Sequence, residues 1–324
     1  MQRQVGRKLN DGRFSKLVKH LYIFILMSFV AAVTVIAQPV GAKTGSVLIY
    51  NLVSSSPADP ASENTVLDLK NKNLVTATFV NLFFINGRDG SITSRAYCLP
   101  PAGKSNISAY ELNPGARGYI IAIAVDGSGT PIKFNYLDGS ADIRLASGHA
   151  DTIDAVKIEA RSATPAVAGA ITNLNFDDVN YGKVPSQITV DPVFSPADGD
   201  RTLIAINRIG GSLVSGVNPV GGIGNVSNNT TQQSRSFSVF SGTGQYFLIT
   251  ATNSPRVPGT LGTLIPAGDT AKFEFGGGGI SGAFIHSNSV KKGKQLNFGG
   301  NVNVVTVAAA TLEIPVIAPT CLLN

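Results

Sequence analysis

Apolar positions are arranged along this chain in two ways. Over residues 21–37 they run together without a single charge, directly after a segment that carries Arg3, Arg7, Lys8, Arg13, Lys16 and Lys19 against one acid, Asp11. Beyond residue 43 they fall instead into short runs, residues 46–51, 75–85, 119–125, 247–250 and 302–307, rich in Val, Ile, Phe, Tyr and Thr and bounded by Gly, Pro, Asn and Asp. Residues 107–112 and 271–275 alternate apolar with polar, as a half-buried strand does. Helical periodicity is nearly absent beyond residue 42. The pattern predicts strands joined by tight turns, with Asp126-Gly127 and Asp138-Gly139 as turn sequences.

The first pattern is that of a secretory signal: a basic segment, an apolar segment, and small residues at Val40 and Ala42 ahead of a cleavage point before Lys43. A second cleavage point lies after Ala37. Residues 1–42 are therefore read as a signal helix, and the chain as exported to a periplasm, a cell surface or the medium. The alternative is an uncleaved anchor, since the 17 uncharged residues reach roughly 25 Å as a helix, close to the minimum for a span. The membrane enters this reading only through that segment. The end of the chain, residues 312–324, has neither a hydrophobic span nor a basic tail.

Short landmarks recur in one order in both halves of the remainder. Ser56-Pro57-Ala58-Asp59 is answered by Ser195-Pro196-Ala197-Asp198, and the strand Thr65 to Asn71 by Thr202 to Arg208. Leu99-Pro100-Pro101-Ala102-Gly103 matches Leu264-Ile265-Pro266-Ala267-Gly268, after which residues 107–112 match 271–275 and Gly118 matches Gly282, each opening an apolar run. The expectation is an all-β protein of two tandem, related β-sandwich domains, immunoglobulin-like or jelly-roll-like, over residues 43–162 and 163–324. The second copy is longer between landmarks. Residues 210–235, made of Gly, Ser, Asn, Thr and Gln with few large apolar side chains, are expected as a long exposed loop, with Asn225, Asn228, Asn229 and Arg235 as its candidate binding residues.

In its opening strand, its Pro-Ala-Gly landmark and its Gly-opened apolar strand, the chain resembles the uncharacterised secreted β-sandwich proteins of bacterial genomes. The resemblance implies a location and a fold, and it assigns no site.

The formal net charge of +6 suggests a polyanion partner, but 6 of the 26 Lys and Arg and 1 of the 20 acids lie in residues 1–42. Residues 43–324 hold 20 bases and 19 acids, too balanced for the electrostatic footprint of nucleic-acid binding.

Catalytic chemistry is sparse. His149 and His286 stand in no metal-binding spacing, and there is no nucleophile elbow. Ser147, His149 and Asp151 are near in sequence, whereas triad members normally converge from distant segments. Gly277-Gly278-Gly279-Ile280-Ser281-Gly282 satisfies a dinucleotide fingerprint, but residues 283–285 read as strand where the fingerprint requires a helix. Asp198-Gly199-Asp200 and Asp177-Asp178 lack the full ligand set of a calcium loop and read as solvated turns. No cofactor or metal is expected. Cys98 and Cys321 are either a disulfide, permitted in an exported chain, or two thiols, since sequence cannot place their Cα atoms.

Three functions fit. The first is a non-catalytic structural or adhesive protein, binding a surface glycan or itself through loops on a rigid β scaffold. The second is a carbohydrate-binding module using Tyr97, Tyr110, Tyr136, Tyr181 or Tyr246, since Trp is absent. The third is a hydrolase whose two carboxylates come from distant segments.

Overall fold

The computed structural model describes residues 44–87, 89–162, 167–215, 221–240, 246–249, 264–288 and 298–321. The signal segment expected over residues 1–42 lies outside the described residues. In chain order the strands are β1 (Val47–Ser54), β2 (Asn64–Asn71), β3 (Thr78–Asn86), β4 (Ile92–Leu99), β5 (Lys104–Ser108), β6 (Arg117–Val125), β7 (Leu137–Arg144), β8 (Ala150–Asp154) and β9 (Val156–Ile158), with one short helix, α1 (Ala109–Leu112), after β5. Next come β10 (Val167–Ala168), β11 (Ile171–Phe176), β12 (Val184–Phe194), β13 (Asp200–Arg208), β14 (Gly211–Ser212), β15 (Gly222–Asn228) and β16 (Ser234–Val239). The last are β17 (Tyr246–Ile249), β18 (Thr270–Gly276), β19 (Ile280–Asn288), β20 (Phe298–Asn301), β21 (Asn303–Ala308) and β22 (Ala310–Pro315).

These strands build five sheets: I (β5-β2-β7-β8), II (β4-β3-β6-β1-β9), III (β10-β11-β22-β14), IV (β16-β15-β18-β12-β21) and V (β17-β13-β19-β20). Sheet II is covered on both faces. Leu48, Tyr50 and Leu52 of β1 meet Leu67 and Leu69 of sheet I, while Val47 and Ile49 meet Leu174, Phe176, Leu312 and Ile314 of sheet III. That double burial explains why β1 and β6 read as unbroken apolar runs whereas β2 and β7 alternate. Val184 of β12 joins the core between sheets II and III, a further core fills the space between IV and V, and Leu203, Ala205, Ala283 and Ile285 of sheet V pack into the core between I and II.

Each sheet thus packs on two others, and the circuit closes as a five-bladed, propeller-like all-β body. This corrects the expectation of two tandem β-sandwich domains. One apolar face of β13 and β19 is buried against the sheets built from residues 47–158, and Val184, Leu174, Phe176, Leu312 and Ile314 share a core with β1 and β6, so two of the three cores draw on both halves of the chain. The blades are stitched from strands distant in sequence, unlike consecutive meanders.

Strand order itself recurs. Sheets IV and V repeat II and I with β12 in place of β1, β13 of β2, β15 of β3, and so on to β21 in place of β9. Even the bulge recurs, between Tyr50 and Val53 in β1 and between Val190 and Val193 in β12. This order couples β2 with β13 but β6 with β18, which replaces the sequence match of Gly118 with Gly282. Residues 109–112, expected as strand, are helix α1. Asp138-Gly139, expected as a turn, lies inside β7, where a Cβ on Gly139 would stand 2.2 Å from the Tyr50 hydroxyl oxygen and 2.4 Å from the Asp68 carbonyl. Close approach of backbone and ring selects glycine there. The exposed loop expected over residues 210–235 instead contains β14, β15 and the start of β16, with residues 216–220 outside the described set.

A candidate binding cleft

At the end of β1, where the chain turns towards β2, a cleft of about 590 Å³ opens between Ser54, Ser55, Ser56, Pro57 and Glu63 on one wall and Asn86, Gly87, Asp89 and the turn from Asn113 to Arg117 on the other. The walls are held by strand pairing. Gly118, just inside, opposes Asn86 across β3 and β6, and a Cβ on it would stand 1.9 Å from the Ile85 carbonyl, so only glycine lets β6 close on β3 here. The Asn113 turn is pinned by Ser55, whose Oγ donates to the Asn113 carbonyl at 3.0 Å and accepts from the Gly115 amide at 3.1 Å.

Three side chains form the polar floor. Ser54 Oγ donates to Glu63 Oε1 at 2.5 Å, Arg117 Nη2 donates to the same oxygen at 2.5 Å, and Arg117 Nε donates to Ser54 Oγ at 3.0 Å. Partial burial would raise the Glu63 carboxyl, but the bonds from Ser54 and Arg117 and the guanidinium charge outweigh it and hold the group below the usual carboxylate range. Glu63 is therefore an ionised acceptor and poorly suited to deliver a proton. The other carboxylate in the lining, Asp89, accepts from the Ser91 amide at 2.9 Å and the Ser91 hydroxyl at 2.6 Å. Among the described residues the lining holds no His, Cys or aromatic side chain. It can exchange hydrogen bonds with a hydroxyl-rich ligand.

A second polar cluster is buried on the face of sheet V that turns to sheet IV, where the Phe194 ring lies 5.2 Å from that of His286. His286 Nε2 lies 3.0 Å from Asp200 Oδ1, His286 Nδ1 lies 3.0 Å from Thr202 Oγ1, and Asn288 donates to Asp200 Oδ1 at 2.5 Å. Asp200 and Asn288, like Thr202 and His286, are cross-strand partners of β13 and β19. Asp200, expected in a solvated turn, is thus a buried residue, while its neighbour Asp198 accepts from the Gly268 amide at 2.8 Å. The hydroxyl, imidazole and carboxylate are in the order of a nucleophilic triad, but all are buried, with no described opening to solvent. His149 comes from the other half of the chain: its Nδ1 lies 2.8 Å from Ser147 Oγ and its Nε2 lies 3.1 Å from the Arg201 carbonyl. Asp151 takes no part; its Oδ1 accepts from the Thr152 amide. Burial pushes the His149 imidazole down, helped by the charges of Arg201 and His286.

The remaining residues singled out in the sequence are scattered. Asn228 is buried and structural, donating to the Leu264 carbonyl at 3.1 Å and accepting from the Thr230 and Thr231 amides at 2.8 Å. Asn229 is exposed and bonded to Asp191 and Thr270, Asn225 lies half-buried on β15, and Arg235 is exposed on the edge strand β16. None of the four lines the cleft. Tyr181 is buried edge-on against Phe176, Tyr97 and Tyr110 are half-buried, and Tyr136 is exposed far from the cleft lining. Asp177 caps its own turn through the Val179 and Asn180 amides, and Asp178 pairs with Arg161. Gly277 to Gly279 turn β18 into β19, a strand. Cys98 and Cys321 form a disulfide with Cα atoms 5.9 Å apart, tying β4 to the segment after β22. Among the described residues no group of three or more His, Cys, Asp or Glu side chains is placed to hold a metal.

The sequence does not show the cleft because Glu63 and Arg117 carry no motif, although the Ser56-Pro57 landmark lies at its rim.

No protein-family model matches the chain, and no curated protein matches it. Among solved structures it is similar to PNGase F, a glycosylasparaginase from Flavobacterium meningosepticum (9% identity, 83% of this chain and 92% of that one, TM-score 0.18). It is also similar to a tandem CBM22 domain from Paenibacillus barcinonensis (11%, 80% and 82%, TM-score 0.17) and to a serine-rich repeat adhesion glycoprotein from Streptococcus agalactiae (12%, 84% and 100%, TM-score 0.18). At these TM-scores the likenesses carry no argument about function.

Proposed function

We propose that this is an exported, non-catalytic binding protein with an adhesive role, and that the cleft from Ser54 to Arg117 takes a hydroxyl-rich ligand such as a surface glycan. The observation that carries the reading is the closed triangle of Ser54, Glu63 and Arg117. It keeps the carboxylate ionised and fixed, as a preorganised acceptor requires, and denies it the raised pKa of a general acid. Asn86, Asp89 and Asn113 supply further donors and acceptors around it.

The test is retention of the purified protein on a panel of immobilised glycans, with Asn86→Ala/Asp89→Asn as the cleft variant and glycan turnover followed in parallel. The expected result is retention without turnover, weakened at least tenfold in the variant, an amount of about 1.4 kcal/mol. Turnover of a retained glycan overturns the non-catalytic part of the reading. Retention unchanged in a folded variant overturns the assignment of the cleft.

A further inference from the structure

At the opposite end of β2 from the cleft, the loop into β3 carries Leu74 and Val75, 79% and 84% exposed. Two consecutive large aliphatic side chains so fully in water are uncommon at a protein surface. They are not there because the loop is slack. Asn71, buried, donates to the carbonyls of Thr76 and Pro100 and accepts from the Asn73 amide, while Asn73 Oδ1 accepts from the Val75 and Thr76 amides at 2.9 and 2.8 Å. The backbone holds both side chains outward.

Beside this tip is a hollow of about 230 Å³ lined by Lys70, Lys72, Lys104, Asn71, Leu74, Ala102 and Gly103, three cations and no acid. Lys72 and Lys104 are half exposed, at 52% and 51%. Their counter-charges lie behind them on sheet I: Asp68 binds Lys70 at 2.5 Å and Lys104 at 3.3 Å, and Asp138 binds Lys72 at 3.5 Å and Lys157 at 2.7 Å. Tyr136, 48% exposed, flanks the tip, its carbonyl accepting from the Lys72 amide at 2.8 Å.

From this juxtaposition we infer that the tip is a docking site for an anionic lipid bilayer, with Leu74 and Val75 entering the acyl boundary and a lipid phosphate resting between Lys70, Lys72 and Lys104. An apolar wedge rimmed by lysines, with a tyrosine at the depth of the headgroups, is what an interface of oil below and anions above selects. A free phosphate accounts for the lysines and leaves the wedge unexplained. The inference stands apart from the cleft, which faces the other way along β2.

The sequence contains no Trp, so Leu74→Trp installs a single reporter at the tip of the whole chain, and Asn86→Trp a control at the cleft end. With vesicles of phosphatidylcholine and phosphatidylglycerol, the tip reporter is expected to shift to the blue and to be quenched by brominated acyl chains, while the control does neither. Adding Lys72→Ala and Lys104→Ala should weaken the titration about thirtyfold, each lysine contributing about 1 kcal/mol near an anionic surface. Emission at the tip that no vesicle alters overturns the inference. So does an equal response to pure phosphatidylcholine, or a response to inorganic phosphate alone. If instead Leu74→Ser/Val75→Ser changes the oligomeric size of the protein while the tip reporter ignores vesicles, the tip is a protein contact and the lipid assignment fails.

Discussion

Asn207 Nδ2 donates to the backbone carbonyl of Asn51 at 2.7 Å and to its side-chain oxygen at 3.0 Å, joining β13 to β1 across 156 residues of sequence. Asn51 passes the connection on, donating to the Gly282 carbonyl at 3.0 Å and to Asn301 Oδ1 at 2.8 Å, and Asn301 donates to the Asp154 carbonyl at 2.7 Å. Both Asn51 and Asn207 are buried, so the bonds between them are shielded from water, while the end of the connection at Asn301 and Asp154 is exposed.

Replacing Asn207 by Ala leaves two buried acceptors of Asn51 without their donor. The expected cost is about 2–3 kcal/mol, read as a lower midpoint in urea with an unchanged slope. A changed slope instead would mean that the two halves of the chain had come apart before unfolding.

Gly139 is a position at which sheet I leaves no room for a side chain. A Cβ there would meet the Tyr50 hydroxyl and the Asp68 carbonyl, whereas one on Gly300 would meet nothing within 4 Å. Gly139→Ala is expected to cost about 1–3 kcal/mol by overpacking, and Gly300→Ala to leave the thermal midpoint within a degree or two of the parent.

The bond from Cys98 to Cys321 closes a loop of 223 residues. In the chain-entropy account such a loop contributes roughly 5 kcal/mol by restricting the unfolded chain. Reduction, or Cys98→Ser with Cys321→Ser, should lower stability by up to that amount while spectra of the folded state stay unchanged.

His149 titrates lower in the folded chain than unfolded because burial opposes its charge. The unfolded chain therefore takes up a proton first, and stability conferred by the neutral ring is present above about pH 6.5 and declines as pH falls below it. His149→Gln should flatten that limb. Glu63 acts in a lower window: its folded pKa is depressed, so its contribution is present above about pH 4.3 and is lost as pH falls through the folded value. Glu63→Gln should remove that component and leave the upper limb alone.

The strands were legible in sequence because β-branched and aromatic runs between Gly, Pro, Asn and Asp report local preference. The runs at residues 46–51 and 119–125 became β1 and β6 within a few residues. Apart from the Cys98–Cys321 pair, which the sequence offers as one of two alternatives, the features set by distant neighbours are not legible in it. Asp138-Gly139 has the composition of a turn, yet it is strand because Tyr50 and Asp68 press against it. Residues 222–228 look too polar for a core element, but Gly224 lets the Phe237 ring lie against the backbone, where a Cβ would stand 2.4 Å from it, and so β15 packs as a central strand of sheet IV.

The order of apolar and polar residues along this chain determined by itself that it would be all β, because strand formation answers to neighbours one or two positions away. Tertiary structure alone decided that five sheets share their cores, that Glu63 meets Arg117 and His286 meets Asp200, and that Leu74 and Val75 face water while residues of like composition are buried. Those outcomes depend on which surfaces meet across tens to hundreds of residues. Local composition places no constraint on such encounters.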